Sequence, residues 1–131
     1  MNFADEFEKL MTDTGRRHAD SPNEIVAAGE AFVAECTEGY GWGIYEYRNE
    51  LGVRSAIDSA LRSPALASHP EFRGFEARVA EIDARFAALV TAGPEVEGPD
   101  RPWWIRRLPP TGGEELAGDA KRLYGAELTV V

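Results

Sequence analysis

His18, His69 and Cys36 are the side chains of this sequence best suited to acid–base, thiolate or metal chemistry, and their spacing gives them no common task. Neither histidine has a ligand partner three or four residues away, and no Glu-x-x-His occurs, so the di-iron helical pattern is missing. A single cysteine cannot build a structural zinc site. His18, next to Arg16 and Arg17, reads as a solvated loop residue, and His69, before Pro70, as a helix-entry residue. Cys36 falls on the apolar side of a helical pattern, where a thiol behaves as a small hydrophobe. No Gly-x-Ser-x-Gly nucleophile turn occurs. Glu46 and Glu50 stand one helical turn apart, but two carboxylates at that spacing also describe a solvated helix flank. Gly39, Gly41 and Gly43 alternate without forming a dinucleotide fingerprint. Thr111, Gly112 and Gly113 open a helix, but Glu114 and Glu115 follow at once and would repel an anion. No catalytic residue, metal ligand or cofactor is assigned.

Two aromatic groups are better candidates, for binding rather than catalysis. One is Tyr40, Trp42, Tyr45 and Tyr47, with Glu46 and Glu50 among them. The other is Trp103 and Trp104, with Arg101, Arg106 and Arg107 around them. Trp, Tyr and Arg dominate the energetics of protein interfaces. They also serve as ordinary core and rim residues, with their polar tips satisfied. In an extended segment adjacent tryptophans point to opposite sides, so one of Trp103 and Trp104 is expected to be partly exposed.

These groups need a scaffold, and the scaffold is helical. Phe72, Phe75, Val79, Ile82, Phe86 and Leu89 recur at steps of 3 and 4, one apolar stripe on one helix. Before it, residues 3–12 share Phe3, Phe7, Leu10 and Met11 on a face, and residues 15–20 read as a polar loop. A capping box at Ser21 and Glu24, with Pro22 between them, starts a second helix. Its face carries Ile25, Gly29, Phe32 and Cys36, and Gly39 ends it. A third helix begins at Ile44 or Asn49 and runs to Leu61, with Leu51, Ile57 and Leu61 inward, and Ser63 and Pro64 stop it. Pro70, after a Ser68 or His69 cap, opens the striped helix, and Gly93 and Pro94 close it. Residues 93–102 form a Pro/Gly-rich linker and residues 103–108 an extended segment. A last helix over residues 113–124 turns Leu116, Ala120, Leu123 and Tyr124 inward and is capped by Gly125. The tail, residues 126–131, is expected to pair with the Trp103 segment. The fold class is therefore mainly α: a four- to five-helix bundle with at most a small C-terminal two-stranded ribbon. At 131 residues the chain reads as one helical domain, residues 1–131.

Composition narrows the class further. The chain is 44% hydrophobic and 28% charged, as in an ordinary globular protein. No apolar run approaches the ~18 residues of a membrane span. The acidic start lacks the basic and apolar blocks of a secretory signal, and the lone thiol suits a reducing compartment, so the expected location is the cytoplasm. Net charge is −9, and residues 1–60 carry most of it, with 12 acids against 5 bases. This half repels nucleic acid and anionic lipid and attracts a basic partner. Acidity also serves plain solubility. The 72–89 stripe could form a homodimer seam, but a parallel pair would set Glu71 against Glu76, and the other amphipathic segments need a surface to cover. A monomer is favoured.

The expected function is that of a small acidic binding protein of inhibitor, immunity or adaptor type, with a protein partner and no nucleic acid or membrane. The balance leans away from an enzyme. Its candidate contact residues are Tyr40, Trp42, Tyr45, Tyr47, Glu46, Glu50, Trp103, Trp104 and Arg106. The rival expectation is a small-molecule or enzymatic pocket between helices, lined by Tyr and Trp with Glu46, Glu50 or His69 as polar groups.

Overall fold

In the computed structural model, which describes residues 1–16 and 20–131, the first two helices begin where a side chain takes up their free N–H groups. His18 lies outside the described residues. Helix α1, Phe3–Asp13, is capped by Asn2, whose Oδ1 accepts from the Asp5 amide at 2.8 Å. Helix α2, Pro22–Glu38, has the full capping box, with Ser21 and Glu24 each bonded to the other's backbone. Helix α3, Ile44–Leu61, starts at the earlier of the two expected points.

The Ser63 and Pro64 pair does more than stop α3. Ser63 Oγ accepts from the Leu66 amide, and a four-residue helix, α4, Pro64–Ala67, follows and buries Leu66. That displaces the next start: α5 spans Phe72–Thr91, with Glu71 at its cap, and Pro70 lies in the preceding turn rather than at the first helical position. Phe72, Phe75, Val79, Ile82 and Phe86 are buried as the stripe requires, but Val90 completes the series and Leu89 is only half-buried. A straight helix at 3.6 residues per turn drifts ~20° per heptad against a 3.5 repeat, enough to hand the last position to the next residue. Helix α5 lies along α2, and a Cβ at Gly29 would meet Ile82 Cδ1 at 3.6 Å, an ordinary van der Waals contact, so the approach of the two helices does not depend on glycine there.

The C-terminal third differs from the sequence expectation in three ways. Trp103 and Trp104 are not extended but sit in a short helix, α6, Trp103–Arg106, which follows Pro102. A helical turn sets neighbours about 100° apart rather than opposite, so both indoles reach the same region, at 5.9 Å and nearly perpendicular. Trp104 is buried and Trp103 half-buried. Second, residues 93–102 fold back on the chain. Glu95 bridges Arg107 in antiparallel fashion, and the Leu108 amide donates to Pro94 O. Third, the tail pairs elsewhere. Strand β1, Thr111–Gly112, leads into α7, Glu114–Tyr124, and β2, Thr129–Val130, returns parallel to β1 with Thr111 opposite Thr129. Parallel strands need a crossover, and α7 supplies it, with Gly125 (φ 64°) turning the chain back. Leu116 and Ala120 face inward, while Leu123 is 41% exposed and Tyr124 half-buried.

The elements share a core that runs from Phe3 on α1 to Leu128 in the tail. The fold is mainly α with one small parallel ribbon. Among the described residues no helix is long and apolar enough to cross a membrane.

Candidate functional site

The first aromatic group splits in two. Tyr40 and Tyr47 are buried, and their rings pack edge-on at 5.5 Å with Phe32 beside both. The helical period accounts for Tyr47, which shares a face of α3 with Ile44 and Leu51. The Tyr40 hydroxyl donates to the Glu50 carboxylate. Burial, then the Glu50 hydrogen bond and charge, push the Tyr40 phenol above its ordinary value, and burial does the same for Tyr47. The Tyr47 hydroxyl is buried with no hydrogen-bond partner among the described residues. Cys36 belongs to the same region. Burial, with the Glu35 and Glu50 charges, raises its pKa and keeps the thiol protonated. Tyr40, Tyr47 and Cys36 are thus core residues that an outside partner does not reach.

Trp42 and Tyr45 are the opposite case, 60% and 66% exposed. Both stand at the entry to α3, and this entry is held from either side by the α7 unit. Just before Trp42, the Tyr40 carbonyl accepts from the Gly113 amide at 2.9 Å. Just after it, the Ile44 amide donates to Asp119 Oδ2 at 3.0 Å. Helix α3 has no capping side chain of its own, because its cap is Gly43. Asp119, 75 positions away, takes that role. The Ile44 amide, then Arg122, whose guanidinium donates to Asp119 Oδ1 at 3.1 Å, hold the Asp119 carboxyl below its ordinary pKa.

Glycine at position 43 is a packing requirement. A Cβ there would lie 2.8 Å from Asp119 Oδ2, 2.9 Å from Glu115 Oε1 and 3.1 Å from Glu46 Oε2. Three carboxylates therefore converge beside Trp42 and Tyr45, at the positive end of the α3 dipole, which favours them. Asp119 and Glu115 were absent from the sequence-derived candidates. They sit four apart on α7, and nothing local links them to residue 43.

The remaining candidates lie elsewhere. Glu50 is turned toward Tyr40 and lines a cavity of about 30 Å³ with Gly29, Phe32 and Ile82, room for only about two waters. His69 stands 3.2 Å from Glu6 and edge-on to Phe3. Trp103 and Trp104 enclose Arg54, whose guanidinium lies 4.3 Å from the Trp104 ring centre and binds Asp83 through two nitrogens at 2.9 and 3.0 Å. Arg106 donates to the Arg101 carbonyl and Arg107 to Gly93 O, so both close their own loop. The second aromatic group is thus mainly an internal clasp around Arg54, a residue the sequence did not single out. Among the described residues no three of His, Cys, Asp and Glu are placed to hold a metal ion. Comparison with protein-family models, curated proteins and solved structures finds no match to the chain.

Proposed function

We propose that this chain is a small acidic, non-enzymatic binding protein of inhibitor, immunity or adaptor type, which engages a basic segment of a protein partner at the entry to α3. The supporting observation is that Trp42 and Tyr45 are exposed on backbone held at both ends by α7. Large aromatic side chains on a pre-ordered backbone are effective anchors, because little entropy remains to be lost on binding. Glu46, Glu115 and Asp119 supply the charge that selects a basic partner. A net charge of −9 disfavours nucleic acid as that partner. The cytoplasm, where a lone thiol stays reduced, is the compartment proposed for this role.

The test is site-specific cross-linking in the native host. A photo-cross-linkable residue at position 45 should capture one basic protein, whereas the same residue at Ala84, exposed on α5, should not. Trp42→Ala and Tyr45→Ala should each weaken that complex by about 2 kcal/mol or more. Both variants should melt like the parent, since neither side chain is in the core. Unaltered capture by the double variant would show that this surface is the wrong one.

A further inference from the structure

A separate cleft of about 290 Å³ opens between α3 and the 97–105 segment, lined by Arg48, Leu51, Gly52, Ser55, Glu97, Arg101 and Ile105. Arg48, Gly52 and Ser55 follow one another at steps of 4 and 3 along α3, a stripe ~10 Å long at 1.5 Å per residue. Glycine at position 52 leaves the middle of that stripe bare, and a Cβ there would meet nothing within 4 Å. A helix-interior glycine costs stability that alanine would recover, so the open floor is not imposed by packing.

The polar groups around this floor have donors to spare. Arg48 lies over the Tyr124 ring, 5.2 Å from its centre, and pairs with Glu97 at 3.7 Å, beyond hydrogen-bond range, so its N–H groups stay uncommitted. The Arg101 side chain enters no hydrogen bond or ion pair among the described residues; only its backbone is engaged, the amide donating to Gly98 O and the carbonyl accepting from Arg106. Ser55 Oγ accepts from Trp104 Nε1 at 3.4 Å, which leaves its own proton free. Leu51 and Ile105 add apolar surface, and two guanidinium groups against one carboxylate make the lining net cationic on an acidic protein.

We infer that this cleft binds a small organic anion, a carboxylate or phosphate monoester with a compact apolar body. The anionic head is held by Arg101 and Arg48 with help from the Ser55 hydroxyl, and the body lies over Gly52 against Leu51 and Ile105. The volume is at the small end of ligand sites, which suits a single ring or short chain. This inference is independent of the partner surface at Trp42 and Tyr45.

The test is an NMR titration of the whole chain with benzoate and with phenyl phosphate at millimolar concentration, against benzamide as a neutral shape control. The inference predicts shifts at the amides of residues 48–55 and 101–105 with one or both anions and none with benzamide. Whichever anion binds tighter identifies the head group. Arg101→Gln should weaken binding roughly tenfold, the loss of one charge-assisted contact. Gly52→Leu should fill the floor and abolish the shifts, while circular dichroism stays that of the parent. Equal shifts with benzamide, shifts confined to other residues, or undiminished binding by Gly52→Leu would each overturn the inference.

Discussion

Asp119 carries the clearest consequence of a single side chain in this protein. It caps a helix that starts 75 positions earlier in the chain, and its carboxyl is held below the ordinary value of 3.8 by the Ile44 amide and Arg122. A carboxyl whose folded pKa is lowered adds stability above its unfolded pKa, and that stability is lost as pH falls through the folded value. Urea denaturation at pH 7 and below pH 3.8 should therefore show a steeper acid loss for the parent than for Asp119→Asn, with the stability gap between them present at pH 7 and closing in acid. Equal acid dependence of the two proteins would mean that the Asp119 cap does not form. Asp119→Ala should loosen the backbone that presents Trp42 and so weaken the proposed partner binding as well.

At the scale of the elements, helix entries and glycines decide what is held and what is left open. Two glycines make opposite predictions. In α7, Gly118 lies in the helix interior with nothing within 4 Å of a would-be Cβ, so Gly118→Ala should stabilise the protein by about 1 kcal/mol in urea denaturation. Gly43→Ala pushes a methyl group into the space of the Asp119 carboxylate. The two glutamate tips can swing away, but the short Asp119 side chain cannot do so and keep its bond to Ile44. That variant should lose stability and the acid dependence assigned to Asp119 together. The same elements place the proposed anchors: Tyr45 lies off the face that Ile44, Tyr47 and Leu51 bury, so the helix itself turns one tyrosine outward and the other inward.

For the whole molecule, Arg54 ties the helical body to the C-terminal third. From α3 it grips Asp83 on α5 and stacks against Trp104 on α6, with only 13% of its side chain exposed. Removing one partner of a largely buried pair leaves the other charge stranded, so Arg54→Ala should cost about 3 kcal/mol by denaturant unfolding. The double variant Arg54→Met with Asp83→Leu should recover most of that loss, because the desolvation cost of both charges disappears as well. A double variant no more stable than Arg54→Ala would assign the effect to the cation over the Trp104 ring instead.

The sequence by itself determined what depends on neighbours in the chain. The Ser21 and Glu24 box, the Gly125 stop and the α5 stripe each follow from spacings of a few residues, where local hydrogen bonds and helical period leave little choice. The aromatic run around residue 42 was likewise legible as a place of interest. Tertiary structure alone decided which of its members face water, which carboxylates gather beside Gly43, and where the tail pairs. Those outcomes rest on contacts between residues far apart in sequence, such as Asp119 with Ile44, Thr129 with Pro110 and Arg54 with Trp104. No local pattern encodes them, because each partner's own neighbours look the same whether or not the distant contact forms. The turn at Trp103 and Trp104 shows the same limit. Read locally it favoured an extended strand, but in the fold a helical turn brings both rings to the Arg54 region.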